Sequence, residues 1–170
     1  MASSDDELET LIGSLDGQRQ HVLGIVDGLD EDQLRRVVLP SGWSCLQMIR
    51  HLTFDEEHFW FRCVVAGEPD AITRTEAAPS DHGWRLEPGA TAGTVIEDYR
   101  AAIERSDAIV RARSVLDAPA WWPAELFGDF RLNTLRQIML HMITEVACHA
   151  GHLDAVRELI DGRQWLVMTD

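Results

Sequence analysis

Four residues of the kind that bind metals or move protons recur along one segment. His141, Glu145, His149 and His152 stand at spacings of four, four and three within NTLRQIMLHMITEVACHAGHLDAVRELIDG, residues 133–162. On a helix, at about 100° per residue, the four fall within an arc of about 80°. Leu135, Ile138, Met142, Leu153, Val156 and Ile160 form a neighbouring apolar stripe. The imidazoles and the carboxylate therefore run along the margin of a core-facing helix. There they cost several kcal/mol to bury unless they are hydrogen-bonded or bound to a metal. By angle, His149 lies closest to the centre of the stripe, then Glu145, His152 and His141. Burial and ligand candidacy are expected to follow that order.

A second cluster sits in MIRHLTFDEEHFW, where His51, Asp55 and His58 share one helical face at i, i+4 and i+7. Glu56 falls instead in the apolar stripe of Met48, Ile49, Leu52, Phe59 and Cys63, and a carboxylate there needs a partner such as a histidine N–H. Two ligands at i, i+4 on one helix can chelate one ion, with the third drawn from elsewhere. Glu145 and His149 have that spacing, and His51 is a natural third. Three protein ligands leave one position open for water or substrate, the catalytic arrangement for Zn²⁺. A single histidine on a helix margin is more often plain structure, but four ligand-type residues on one stripe raise a metal site to even terms. Asp55 with His58 reads as a solvated face, and His21 and His82 as surface residues.

These residues need helices to position them. Ser4-Asp5-Asp6-Glu7 is a capping box, followed by helical spacing of Leu8, Leu11, Ile12, Leu15, Val22, Leu23 and Val26 up to Gly28. Asp30 to Val38 reads as a short helical turn. Ser44 with Gln47 opens a second long helix that runs to about Ala66. Residues 67–90 carry three prolines and three glycines without a clear period, and read as a long loop of the kind that lines a site. Thr94 with Glu97 caps a third helix, ending near Ser114. Residues 115–132 form a connection rich in aromatics: Trp121, Trp122, Phe127 and Phe130. It suits a lid or pocket wall and equally a hydrophobic plug or subunit interface. The last long helix, capped by Asn133 and Thr134 and closed by Gly162, carries the histidine stripe. The expected fold is all-α, a four-helix bundle, with residues 1–170 forming one domain.

Composition limits the partners. The net charge of −14 excludes a strongly basic phosphate-binding face, so neither nucleic acid nor an anionic membrane surface is expected as a partner. No apolar run reaches transmembrane length. The acidic start MASSDDELET is no signal peptide, and a cytoplasmic location is expected. Cys45, Cys63 and Cys148 form no CxxC pair, and each reads as a small buried hydrophobe. All 15 basic residues are arginine, which points to GC-rich bacterial coding.

The segments SGWSCLQMIRHLTFDEEHFWFR and LRQIMLHMITEVACHAGHLDAVRELIDG, about 50 residues together, resemble the DinB-like superfamily of four-helix metalloproteins. That group includes mycothiol-dependent maleylpyruvate isomerase and the bacillithiol S-transferases. The resemblance implies a divalent metal, usually Zn²⁺ or Ni²⁺, held by His51, Glu145 and His149. It also implies a homodimer with a cleft over the metal. The Gly-His-Leu-Asp run leaves His152 able to replace Glu145 or to act as base. The expected activity is transfer of a low-molecular-weight thiol, with mycothiol favoured, to an electrophile, and His152 or His141 moving protons. Arg50, Arg85, Arg131 and Arg136 flank the site-bearing segments and read mainly as surface or capping residues. Two alternatives stand beside this reading. One is a non-catalytic metal-binding or stress-induced interaction protein. The other is a metal-dependent hydrolase with Glu145 or Glu56 as base.

Overall fold

The computed structural model describes residues 4–165, with side chains from Asp6 onward. Every regular element among them is helical. Helix α1 spans Ser4–Val26, and the short α2 spans Glu31–Arg35. Helix α3, Cys45–His51, continues without a break as a π-helix over Leu52–Val65. Helix α5 spans Ala92–Arg111 and α7 spans Leu135–Asp161. These long elements make the expected bundle. Helix α1 packs along α7, the π segment packs on α5, and α7 touches both α3 and the π segment.

Local chemistry sets most of the boundaries. The Ser44 side chain accepts from the Gln47 N–H, and the Gln47 side chain returns the bond to the Ser44 N–H, so two donors that helix geometry would orphan are satisfied. Helix α5 starts earlier than the sequence predicts. Thr91, not Thr94, is its cap, and Thr94 is the reciprocal partner. Thr134 caps α7 through the Gln137 N–H, and Gly162 ends it at φ +78°, a left-handed conformation costly for other residues. The predicted Ser4 cap lies outside the described side chains.

Residues 67–90 are less irregular than expected. They form α4, Pro69–Ala77, and a 3₁₀ turn, His82–Trp84. Pro69 in the first turn of α4 lacks only an N–H that helix geometry would leave unpaired anyway. Ala71 of α4 is buried. The connection 115–132 holds one further turn, α6, Ala124–Phe127.

A buried ionic cluster ties α1, the π segment and α5 together. Arg19 is 1% exposed and grips Glu57 through Nε and Nη2, both at 2.8 Å. Its Nη1 bonds Asp16 and Asp107, each at 2.8 Å. The carboxylates of Glu57 and Asp107 hold the guanidinium charge on despite its burial, raising its pKa. Glu57 points into this cluster, while its neighbour Glu56 is free to face the functional site.

Two smaller expectations are corrected. Cys45 and Cys63 are buried as expected, and burial pushes the Cys45 thiol up to about 11, but Cys148 is exposed. His21 is no free surface residue. Its ring bonds Asp154 at 3.0 Å and stacks on Trp165 at 5.6 Å between centroids.

Candidate metal centre and cleft

The π-helix decides which residues of the second helix meet. In an α-helix, five residues turn about 500°, leaving positions 51 and 56 about 140° apart. Bonding of i to i+5 closes a wider turn and makes residues five apart neighbours. The Ala66 N–H donates to the Phe61 carbonyl, five residues back, at 2.9 Å. His51 stands at the entry to this segment. Its Nε2 lies 3.9 Å from Glu56 Oε1, and its Nδ1 bonds Asp55 Oδ2 at 2.8 Å.

Helix α7 brings His149 to the same point. The His51 and His149 rings meet edge to face at 4.9 Å between centroids. His51, Glu56 and His149 each place a ligand-type atom within 4.8 Å of the others, forming a set that can hold a metal ion. Glu145 is not part of that set and stands beside it, its carboxylate 4.0 Å from both His149 Nε2 and His141 Nδ1. The sequence thus brings His51, Glu145 and His149 into one neighbourhood, and Glu56 joins them as a carboxylate no α-helical projection would aim there.

Two polar atoms in this cluster are buried without a hydrogen-bond partner: Glu56 Oε2 and His149 Nδ1. Orphaned buried polar atoms are rare, and a missing ion is one standard reason for them. Burial, followed by the charges of Glu145, Asp55 and Glu57, pushes the Glu56 carboxyl up to about 8. Burial, with His51 and His152 nearby, pushes His149 down to about 4. A divalent cation would relieve both, because it pairs with carboxylate and binds neutral imidazole. The donors are nitrogen and oxygen, which suits Zn²⁺ or Ni²⁺. The residues present therefore fit a divalent metal.

The predicted proton carriers flank the cluster unequally. The His141 side chain is 24% exposed, more buried than Glu145 at 38%, which reverses the order expected from angle alone. Aromatic rings from the π segment and from the 115–132 connection supply the reason. Trp60 meets the His141 ring at 4.5 Å, and Phe130 lies 6.2 Å away. His152 is exposed, with its ring 5.8 Å from that of His149 and 6.4 Å from that of Trp43.

A cleft of about 660 Å³ lies beside the cluster, and Glu56, Glu145 and His141 are among its lining residues. Phe54, Phe59, Trp60, Leu126 and Phe127 make its apolar wall. Trp60 and Phe127 stack at 5.6 Å, so the 115–132 connection contributes a pocket wall, as one of its two sequence readings holds. Besides His141, the basic residues on the cleft are His58, Arg62, Arg74 and His82. Burial, with Arg62 and Arg74 close by, pushes His58 down to about 4, so His58 does not belong to a solvated face, whereas the Asp55 side chain is 42% exposed. The four arginines singled out from sequence lie elsewhere. Arg50 is buried against the 3₁₀ turn, Arg136 pairs with Glu7 at 2.5 Å, Arg131 packs over Trp122, and Arg85 is exposed near Asp81.

The mycothiol S-transferase family model matches residues 10–162, nearly the whole chain. The chain belongs to the mycothiol S-transferase family. This bears out the DinB-like resemblance drawn from its two helical segments, and it makes a thiol the substrate class at family level. The match takes in every candidate site residue of this S-transferase family member, from His51 to His152. No solved structure matches the chain. Among the described residues, no helix is long and apolar enough to cross a membrane.

Proposed function

We propose that this protein is a divalent-metal-dependent mycothiol S-transferase. In this reading His51, Glu145 and His149 would hold the ion, and Glu56, the carboxylate grouped with the two histidines, would be a further ligand candidate. The observation that carries the proposal is the meeting of His51 and His149, from two different helices, with two carboxylates that also line a cleft. A bound Zn²⁺ or Ni²⁺ would supply a Lewis acid that stabilises the thiolate form of the thiol at neutral pH.

The chain's own residues do the rest. The apolar wall of Phe59, Trp60 and Phe127 excludes water and seats the body of the acceptor. His141, on the cleft and pushed down in pKa by its burial, takes the thiol proton as the thiolate forms, before the sulfur attacks. The thiolate sulfur then bonds to the acceptor carbon as the bond from that carbon to the leaving group breaks, and the leaving group departs with its electron pair. His152, exposed beside His149, exchanges protons with solvent. The family resemblance also supports a homodimer.

The test is metal content by elemental mass spectrometry, followed by calorimetric titration of the metal form with mycothiol and turnover of a fluorogenic haloalkane acceptor. About one ion per chain, saturable thiol binding and turnover are expected. Metal without thiol binding, but with hydrolysis of an activated ester, would replace this reading with the hydrolase. An absence of metal, thiol binding and turnover would leave an interaction protein.

A further inference from the structure

The 3₁₀ turn His82–Trp84 lies against the outer side of His51, and several independent contacts hold it there. The Gln47 side-chain amide donates to the Trp84 carbonyl at 3.1 Å. The Arg50 guanidinium donates from Nε to the His82 carbonyl at 3.3 Å and from Nη2 to Glu87 at 3.1 Å. Arg50 also covers the Phe54 ring at 4.3 Å, and His82 meets that same ring edge to face at 5.0 Å. Gln47, Arg50 and Phe54 surround His51 in sequence. The turn is thus pinned to the stretch of helix that presents the imidazole.

The pinned turn performs two operations on His51. The Trp84 indole stacks on the imidazole with centroids 4.3 Å apart and planes within 16°, which fixes the plane of the ring. Gly83 packs against the Asp55 carboxylate so closely that a Cβ at position 83 would land on it. Gly83 is required there for close approach, since its backbone conformation is an ordinary one. Asp55, confined by the turn, accepts from His51 Nδ1 at 2.8 Å. This places the ring proton on Nδ1 and leaves the Nε2 lone pair toward Glu56 and His149.

We propose that the Asp81–Arg85 turn is a positioning device for His51, in which Gly83 holds Asp55 in place and Trp84 holds the ring. Asp55 and Trp84 are positioning residues, acting only through His51. The turn belongs to the segment between two bundle helices, so a long connection that looks like spacer in sequence builds the outer shell of the centre. The proposal rests on the metal reading for its affinity arm and stands without it for its tautomer arm.

Two measurements test it on the full-length protein. The first is Zn²⁺ affinity by competition with a chromophoric chelator, for wild type, Asp55→Ala, Gly83→Ala, Trp84→Ala and Trp84→Phe. Loss of an outer-shell partner typically weakens metal binding about 10- to 100-fold. That loss is expected in Asp55→Ala, Gly83→Ala and Trp84→Ala, with Trp84→Phe restoring most of it because the stack survives. The second is the His51 tautomer in the metal-free protein, read by long-range ¹⁵N–¹H correlation at mildly alkaline pH. Wild type should show the Nδ1–H form, and Asp55→Ala and Gly83→Ala should shift toward Nε2–H. Affinities within twofold of wild type in folded Asp55→Ala and Gly83→Ala, where His51→Ala abolishes binding, would overturn the proposal. So would an Nε2–H tautomer in the wild-type protein. Wild type that binds no Zn²⁺ but shows the Nδ1–H form would sink the metal reading while leaving the turn's action on His51 standing.

Discussion

Glu56 Oε1 lies 3.9 Å from His51 Nε2, five residues along the same helix. The contact exists because the chain changes from α to π geometry at Leu52. It adds a carboxylate to the one that α7 brings beside His149 as Glu145. π geometry usually appears as a single inserted turn, often at functional sites. Here it runs over 14 residues, and its two adjacent acids serve different ends. Glu57 anchors the segment to Arg19 in the core, and Glu56 faces the centre.

Metal content should separate the roles of the two carboxylates. His51→Ala and His149→Ala are expected to lose the ion altogether, since each removes a nitrogen donor that nothing nearby replaces. Glu145→Gln should weaken retention by at least about tenfold, on the scale of losing a ligand or its immediate partner. Glu56→Gln should retain the ion more weakly than wild type but better than Glu145→Gln. Elemental analysis after dialysis against graded chelator reads all four. Full metal in Glu145→Gln with none in Glu56→Gln would exchange the two assignments.

The bundle and the histidine stripe are legible in sequence because they follow from helical periodicity and capping, which are local. Gln47 returning the bond of Ser44, and Gly162 closing α7, need only neighbours in the chain. Glu56 is legible as an anomaly, a carboxylate in an apolar stripe, but its direction is not. Angular projection assumes 100° per residue, and the π segment breaks that assumption. The burial of His141 depends on Trp60 and Phe130, from segments remote in sequence, so no property of α7 alone foretells it. Asp55 reads as solvated because its partner face, the Gly83 turn, lies in a stretch without periodicity.

His58 gives a pH dependence whose sign can be worked out. Burial, with Arg62 and Arg74 nearby, lowers its folded pKa to about 4, below the ordinary 6.5. Between those values the unfolded chain binds the proton and the folded one does not. Stability therefore rises with pH across that window, and is lost as pH falls through it. Glu56, raised to about 8, acts in the opposite sense and His149 in the same sense, so the His58 part is read as a difference between proteins in urea unfolding of the metal-free form at about pH 5 and pH 7. The change in stability from about pH 5 to pH 7 should be more favourable in wild type than in His58→Gln. Equal changes in the two proteins would mean His58 titrates as it does in water.

Arg19→Met should be among the most damaging single changes in the core. It leaves Glu57, which is fully buried, as an uncompensated charge, a situation that typically costs about 3–5 kcal/mol. Asp16 and Asp107 are partly exposed and can turn to water. Replacing Glu57 by Leu in the same chain should recover much of the loss, because a buried ion pair exchanged for apolar groups is often neutral. Urea denaturation of the single and double variants checks this. A loss below about 1 kcal/mol in Arg19→Met would show that water reaches Glu57.

The two flanking histidines should differ in their effect on thiol transfer. His141 lines the cleft beside Glu145 and is half-buried under Trp60, so a proton it takes is held away from bulk water. A positioned acid–base group typically contributes about 10²- to 10⁴-fold. His141→Gln is expected to lower kcat within that range and leave metal content unchanged. His152 is exposed and stands at ring distance 5.8 Å from His149. Solvent and buffer can substitute for it, so His152→Gln should lower kcat less than about tenfold, with imidazole buffer restoring part of the loss. Steady-state rates of wild type and both variants with mycothiol and one acceptor decide the matter. A larger loss in His152→Gln than in His141→Gln would move the proton path from the cleft to the exposed side of α7.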